Sequence, residues 1–114
     1  MWLITKIGFF NVICQGDDEE RGLLTVKARS REDLKRLADY IPYTNAIEES
    51  LVTDYRYRIK ARKHEVRGGF ATLMNEIDYP KTKPKLAKNN PDRGVIYLNV
   101  WGELYNIQEL DEQS

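Results

Sequence analysis

Cysteine is almost missing from this sequence, and Cys14 is its single representative. One thiol cannot form an intramolecular disulfide or a thiolate zinc cluster, so the sequence excludes both kinds of site within one chain. A chain without disulfides is typical of a reducing compartment. Cys14 itself comes directly after apolar residues of a predicted strand, which favours a buried and unreactive thiol.

The sequence also lacks net charge and long apolar runs. Its 18 Lys and Arg residues balance 18 Asp and Glu residues, so any attraction for an anion must come from a local patch. No stretch approaches the roughly 20 apolar residues of a membrane span, and the first residues lack the basic leader of a signal peptide. We therefore predict a cytoplasmic protein with no membrane partner.

Motifs for catalysis or metal binding are missing as well. His64 is the only histidine, and no phosphate-binding loop, nucleophile motif or zinc-ligand spacing occurs. The acidic stretch over 17–20 lacks the spacing of a calcium loop, so we expect a solvated hairpin tip there. The sequence predicts no catalytic residue, no metal and no cofactor.

The clearest pattern that is present is a strict alternation over residues 53–63. Successive side chains of a strand point to opposite faces of the sheet, so an extended chain sorts these residues into two sets. The apolar set comprises Tyr55, Tyr57, Ile59 and Ala61. The charged set comprises Asp54, Arg56, Arg58, Lys60 and Arg62. The alternation predicts an antiparallel sheet with one packed face and one open face.

Further strands are predicted on both sides of this one. Residues 2–15 and 23–29 are expected to form a hairpin around a polar, glycine-bracketed loop. The first of them is apolar on both faces, which favours a central or doubly covered strand. Residues 46–50 are compatible with a short edge strand, in which Glu48 would lie opposite Arg56.

Three helices are predicted from apolar spacing. A capping-box pattern at Ser30 precedes the first helix, and Pro91 suits the first turn of the last one. The predicted segments are helices over 31–41, over 64–77 and from 91 onward, a Lys- and Pro-rich connector over 80–93, and a fraying acidic tail over 109–114.

The order of these elements favours the α+β class. We predict one domain over 1–114, built as a two-layer sandwich of the ferredoxin-like or a related type. It would contain an antiparallel sheet of three or four strands, helices packed on the sheet, and a C-terminal amphipathic helix.

The charged face of the sheet is the first candidate site. Its cations are Arg56, Arg58, Lys60 and Arg62, with Lys27 added from the neighbouring strand. Such a row can contact phosphates, whereas the alternative is a solvated face or one neutralised by nearby acids. Sheets that bind RNA also present aromatic stacking platforms. With Tyr55 and Tyr57 on the core face, only Phe9 remains as a platform, which makes nucleic acid the less favoured anion.

The apolar stripe of the last helix is the second candidate surface. Its residues are Tyr97, Leu98, Trp101, Leu104 and Tyr105. Such a stripe can join the core, cover the second sheet face or form a subunit interface, where Trp and Tyr are enriched. A pocket lined by Tyr55, Tyr57 and Trp101 would instead suit a small enzyme.

Several segments together resemble a family of small, uncharacterised bacterial single-domain proteins. These segments are Met1–Leu3, Gly8–Phe10, Leu24–Arg29, Thr53–Arg58, Ile77–Tyr79 and Val100–Tyr105. The resemblance spans most of the chain and implies a cytoplasmic protein, and none of these motifs is catalytic. Pro80 and the Lys- and Pro-rich connector depart from the family pattern.

The sequence therefore predicts a non-catalytic binding or regulatory module. Its basic sheet face would contact an anionic or protein partner, with a homodimer as one arrangement. A small enzyme and a structural subunit of a larger assembly are the alternatives.

Overall fold

The computed structural model describes residues 1–77 and 91–113. Contacts divide the chain into two units, Met1–Ile77 and Asp78–Ser114. The first unit combines helices with an antiparallel sheet of five strands, so the predicted α+β class is confirmed and the predicted strand number is too low. The single domain over 1–114 stays a prediction. Residues 80–90 of the connector predicted over 80–93 lie outside the described residues.

All strand pairings are antiparallel, and the strand order is β1-β2-β3-β5-β4. The elements of the first unit are β1 (Trp2–Thr5), β2 (Gly8–Ile13), α1 (Asp18–Arg21), β3 (Leu23–Ala28), α2 (Arg31–Leu37), β4 (Glu48–Glu49), β5 (Tyr57–Arg62) and α3 (Lys63–Asn75). The second unit contains α4 (Pro91–Gln113).

The strand predicted over 2–15 is in fact a hairpin of β1 and β2. Its turn ends at Gly8, whose φ of +150° is a conformation that side chains disfavour. A side chain at Gly8 would also overlap the carboxylate of Asp33, which accepts the Phe9 amide at 3.1 Å. Asp33 therefore ties the start of α2 to the start of β2.

The capping box predicted at Ser30 is wrong. Ser30 precedes α2 in an extended conformation, but its side chain makes no capping hydrogen bond. The acidic residue of that pattern, Asp33, is instead directed at the sheet and pairs with Arg36. Tertiary contact has thus replaced the local one.

One face of the sheet carries the hydrophobic core. Alternate residues of β2, β3 and β5 are buried there against side chains from α2 and α3. The core comprises Phe10, Val12, Val26, Ala28, Ile59 and Ala61 from the sheet, with Leu34, Leu37, Val66, Phe70 and Leu73 from the helices. The buried face matches the period-two pattern of the strands.

Helix α3 lies so close to the chain after α2 that one glycine is required. A side chain at Gly69 would overlap Ile41 and the carbonyl oxygen of Tyr40, whereas Gly68 faces open space. Helix α2 ends at Leu37, earlier than predicted, and the following turns bring Tyr40 and Ile41 to α3.

Helix α4 begins at Pro91, as predicted, and continues to Gln113. Within the described residues, no helix is both long enough and apolar enough to cross a membrane. The fraying of the tail over 109–114 stays a prediction.

Cys14 is exposed, so the predicted buried thiol is wrong. The residue lies just beyond the end of β2 at Ile13, where the chain leaves the sheet. Strand alternation therefore does not decide its burial.

Candidate functional site

The sheet face opposite the core carries one row of side chains that crosses all five strands. Residues paired directly across antiparallel strands project on the same face. The row consists of Trp2, Asn11, Lys27, Arg58 and Glu48. We call this face the second face, and it is where the sequence predicted an anion site.

Helix α1 closes one side of the second face through Asp18. This aspartate is fully buried and accepts hydrogen bonds from the Gln15 amide at 3.0 Å and from Thr25 Oγ1 at 2.7 Å. Lys60 Nζ pairs with the other carboxylate oxygen of Asp18, Oδ1, and also donates to Thr25 Oγ1. The acidic loop predicted as a solvated tip is therefore partly a buried structural anchor.

The charge of Asp18 is held in place by these partners. Burial alone would raise the pKa of Asp18, because it disfavours the charged form. Hydrogen bonds from Lys60, the Gln15 amide and Thr25 outweigh that effect, and the pKa lies below its usual value. Lys60 is consequently committed to Asp18 and is not available to a ligand.

Two further cations of the predicted row are also neutralised. Arg56 Nε lies 2.8 Å from Glu49 Oε1, and this hydrogen bond raises the pKa of Arg56. Arg62 Nη1 lies 3.4 Å from Glu65 Oε1. The predicted five-residue anion site is therefore not a uniform basic surface.

Lys27 and Arg58 differ from the other three predicted cations because they are not paired with an acid among the described residues, and the same holds for Arg29. Across residues 1–77 and 91–113, none of their charged groups has a carboxylate within ion-pair distance. Lys27 lies directly opposite Arg58 on the neighbouring strand. Glu48 lies opposite Arg58 on the other side, but its carboxylate accepts the Asn45 amide at 3.0 Å.

Arg58 is held in a fixed orientation by neutral groups. Its Nη2 donates to Thr53 Oγ1 at 2.6 Å and to the Tyr55 carbonyl at 3.3 Å. Its Nε is buried and lacks a partner among the described residues. A buried donor without an acceptor is costly, so the guanidinium of Arg58 is not fully satisfied by its protein partners. Since Nε is buried, an anion would have to bind the remaining donors of the guanidinium.

Aromatic rings border these cations, which corrects the predicted place of Tyr55. Residues 51–56 are bends, and the strand begins only at Tyr57, so the alternation does not extend to Tyr55. The Tyr55 ring is stacked on the Phe9 ring, with centroids 6.4 Å apart. The guanidinium of Arg29 covers it, with Cζ 4.3 Å from the centroid of the Tyr55 ring. Trp2 meets Phe9 edge to face at 5.8 Å.

Tyr57 lies on the other face of the sheet, as predicted. It packs against the core, and the guanidinium groups of Arg31 and Arg56 lie 5.0 and 5.7 Å from its ring. Tyr55 and Tyr57 are therefore on opposite faces and do not line one pocket.

A surface pocket of about 320 Å³ occurs elsewhere in the first unit. It is lined by Pro42, Tyr43, Thr44, Arg62 and Glu65. Burial, with a smaller contribution from Asp39, raises the pKa of Tyr43 to about 12. Tyr43 therefore stays protonated at neutral pH and does not supply a general base.

The other predicted contact residues lie on α4, in the second unit. The rings of Trp101 and Tyr105 contact each other at a tilt of 31° with centroids 5.9 Å apart, and the two residues are 63% and 48% exposed. Tyr97 is half-buried on the same helix.

Trp2 and Asn11 belong to the site but are absent from the sequence prediction, because that prediction treats residues 2–15 as one strand. The signal was available in Gly8, which follows Thr5-Lys6-Ile7 and separates two short alternating segments.

Comparisons with protein-family models, curated proteins and solved structures gave no significant match for this chain.

Proposed function

We propose that the protein is a non-catalytic module that binds an anionic ligand through Lys27, Arg29 and Arg58 on the second face. One observation carries the proposal: within residues 1–77 and 91–113 these cations lack carboxylate partners, while Arg56, Lys60 and Arg62 each have one. The proposal does not depend on the ferredoxin-like or related sandwich, nor on the family resemblance, and both stay predictions.

Preorganisation supports the same conclusion. Arg58 is anchored by Thr53 and Tyr55, and Arg29 is held by its contact with the Tyr55 ring and by a 2.6 Å hydrogen bond to the Asp54 carbonyl. Side chains that are already ordered lose less entropy when a ligand binds. Guanidinium groups also suit phosphate and carboxylate oxygens, because their donors form a planar fork.

Lys27→Glu is expected to weaken polyanion binding about tenfold. The substitution removes one cation and places a like charge beside the ligand. Inorganic polyphosphate serves as the probe because it offers charge without bases. We would measure its affinity by calorimetry at about 50 mM and about 200 mM salt. With three contacting cations, the slope of log affinity against log salt is expected to be about −2, by analogy with single strands.

Lys35→Glu provides the matched control for this charge reversal. Lys35 is exposed on α2, which packs on the core face, and pairs with Glu32. The control should bind polyphosphate like the wild type. Equal loss in both variants, or no binding at the lower salt concentration, would contradict the proposed site.

A second candidate function, self-assembly, is favoured by α4. Its apolar residues from Ile96 to Ile107 cover an arc of roughly 200°, and Val95 and Leu110 add exposed apolar side chains on the opposite side. Many of them are large and exposed: Ile96, Leu98, Trp101, Leu104, Tyr105 and Ile107. An arc wider than one packing stripe is typical of an interface, and the clustered aromatic rings suit one.

Trp101→Glu is expected to abolish dimers or larger species in sedimentation velocity over a wide concentration range. The glutamate would place a charge at the centre of the apolar arc, where an interface excludes water. Asn99→Glu is the matched control, since Asn99 is exposed and lies about 160° from Trp101 around the same helix. A wild-type chain that stays monomeric at every concentration would remove this candidate.

A further inference from the structure

We infer that the ligand of the second face is a single-stranded nucleic acid, one base of which stacks on Trp2. The inference rests on the proposed function and names its ligand class. Trp2 belongs to the same cross-strand row as Lys27 and Arg58, and its side chain is 64% exposed. The second face thus combines an accessible aromatic ring with cations that have no carboxylate partner in the described part of the chain.

Among residues 1–77, three aromatic residues lie on this face, and of these only Trp2 is accessible as a platform. The Tyr55 ring is 3% exposed between Phe9 and Arg29, and Phe9 lies between Tyr55 and Trp2. These two rings support their neighbours. The edge-to-face contact with Phe9 orients the indole of Trp2 while leaving most of its surface exposed. Base stacking on an oriented, accessible aromatic ring is the common contact of single-strand binders.

The length of the cross-strand row favours an oligonucleotide over a single nucleotide as the ligand. Adjacent strands are 4.7–4.9 Å apart, so Lys27 lies roughly 10 Å and Arg58 roughly 14 Å from Trp2 across the sheet. At the 3.4 Å per nucleotide of a fully stacked strand, this span corresponds to at most about four nucleotides, and an extended strand covers it with fewer. The amide of Asn11 lies between the ring and the cations, where the base edges of such a strand would pass.

A duplex suits this face less well, because its bases are already stacked and cannot reach the indole. An acidic peptide would use the cations but gains no base stacking from Trp2. The net charge of zero further implies that binding depends on this local arrangement and not on a general attraction for polyanions.

The test compares a ligand that has bases with one that has none. The probes are oligothymidylate and oligouridylate of about eight nucleotides, the corresponding DNA duplex, thymidine monophosphate and inorganic polyphosphate. The protein carries Trp101→Phe, so that Trp2 is the only tryptophan and its fluorescence reports on stacking directly. The affinities of the Trp2→Leu and Trp2→Phe variants for labelled oligonucleotides are measured by fluorescence anisotropy. Circular dichroism verifies that each variant is folded.

Trp2→Leu should weaken oligonucleotide binding roughly 5- to 100-fold and change polyphosphate binding less than about twofold. Trp2→Phe should restore part of the lost affinity, and oligonucleotides should quench Trp2 fluorescence. Oligothymidylate and oligouridylate distinguish DNA from RNA as the source of the strand.

Three outcomes would overturn the inference while leaving the proposed function intact. They are polyphosphate binding without any dependence of oligonucleotide affinity on Trp2, tighter binding of the duplex than of the single strand, and saturation by the mononucleotide at the same concentration as the oligonucleotide. If neither polyphosphate nor any oligonucleotide binds, the proposed function itself fails.

Discussion

Asp18→Ala is expected to lower the free energy of unfolding by about 2–4 kcal/mol. The substitution leaves three donors without their acceptor: the Gln15 amide, the Thr25 hydroxyl and the Lys60 ammonium. Lys60 is only 25% exposed, so its unpaired charge stays largely out of water. Urea unfolding followed by circular dichroism measures the change.

Asp17→Ala is the control for this substitution. Asp17 is exposed and lies 3.9 Å from Arg21 in a surface pair, which contributes a few tenths of a kcal/mol. A loss in Asp18→Ala no larger than in Asp17→Ala would show that the buried cluster does not stabilise the sheet.

The contribution of Asp18 depends on pH in a defined direction. Its pKa in the folded chain lies below the unfolded value of about 3.9, so the folded state favours the carboxylate. The stabilisation is complete above the unfolded pKa and is lost as the pH falls through the folded pKa. Wild type and Asp18→Asn should therefore differ by a constant amount above about pH 5 and converge below about pH 4. A difference that grows on acidification would reverse this sign.

Gly69→Ala and Gly68→Ala should change stability in opposite directions, although the residues are neighbours in one helix. Alanine at Gly69 forces Ile41 and the Tyr40 carbonyl away from α3, which costs about 1–3 kcal/mol. Alanine at Gly68 meets open space and should stabilise α3 by about 0.5–1 kcal/mol, because glycine is a poor helix former.

Thermal unfolding of both variants tests this pair. Both variants replace glycine by alanine in the same helix, so the contribution of helix propensity is the same in each. The difference between their stabilities therefore reports only the contact of α3 with residues 40 and 41. Two stabilised variants would mean that α3 is farther from Ile41 than the structure places it.

Much of the fold could be predicted from local patterns, because strand alternation and helical spacing depend on residues that are close together in the chain. The alternation over residues 57–62 and the apolar spacing of α3 gave the strand, the helix and their buried faces. Pro91 gave the start of α4, since its fixed φ suits a first helical turn. The β1–β2 hairpin was missed because a single glycine at its turn is a weak signal.

The site could be predicted only in part, because neutralisation of a cation is a tertiary property. Arg56, Arg58, Lys60 and Arg62 are alike in the sequence, yet only Arg58 has no carboxylate partner among the described residues. The partner of Lys60, Asp18, comes from α1, 42 residues away in the chain. Tyr55 was misplaced for a related reason, since the alternation continues past the point where the strand has ended.

The Asp18 cluster also bears on the order in which the chain folds. Strands β1, β2 and β3 pair with neighbours along the chain, so they can associate after closing short loops. Lys60, by contrast, meets Asp18 and Thr25 across 42 and 35 residues. Contacts that close long loops form late, because the loop entropy is lost before they contribute. We therefore expect strand β5 to join the sheet late in folding, and we expect a weakened Asp18–Lys60 pair to speed unfolding more than it slows folding.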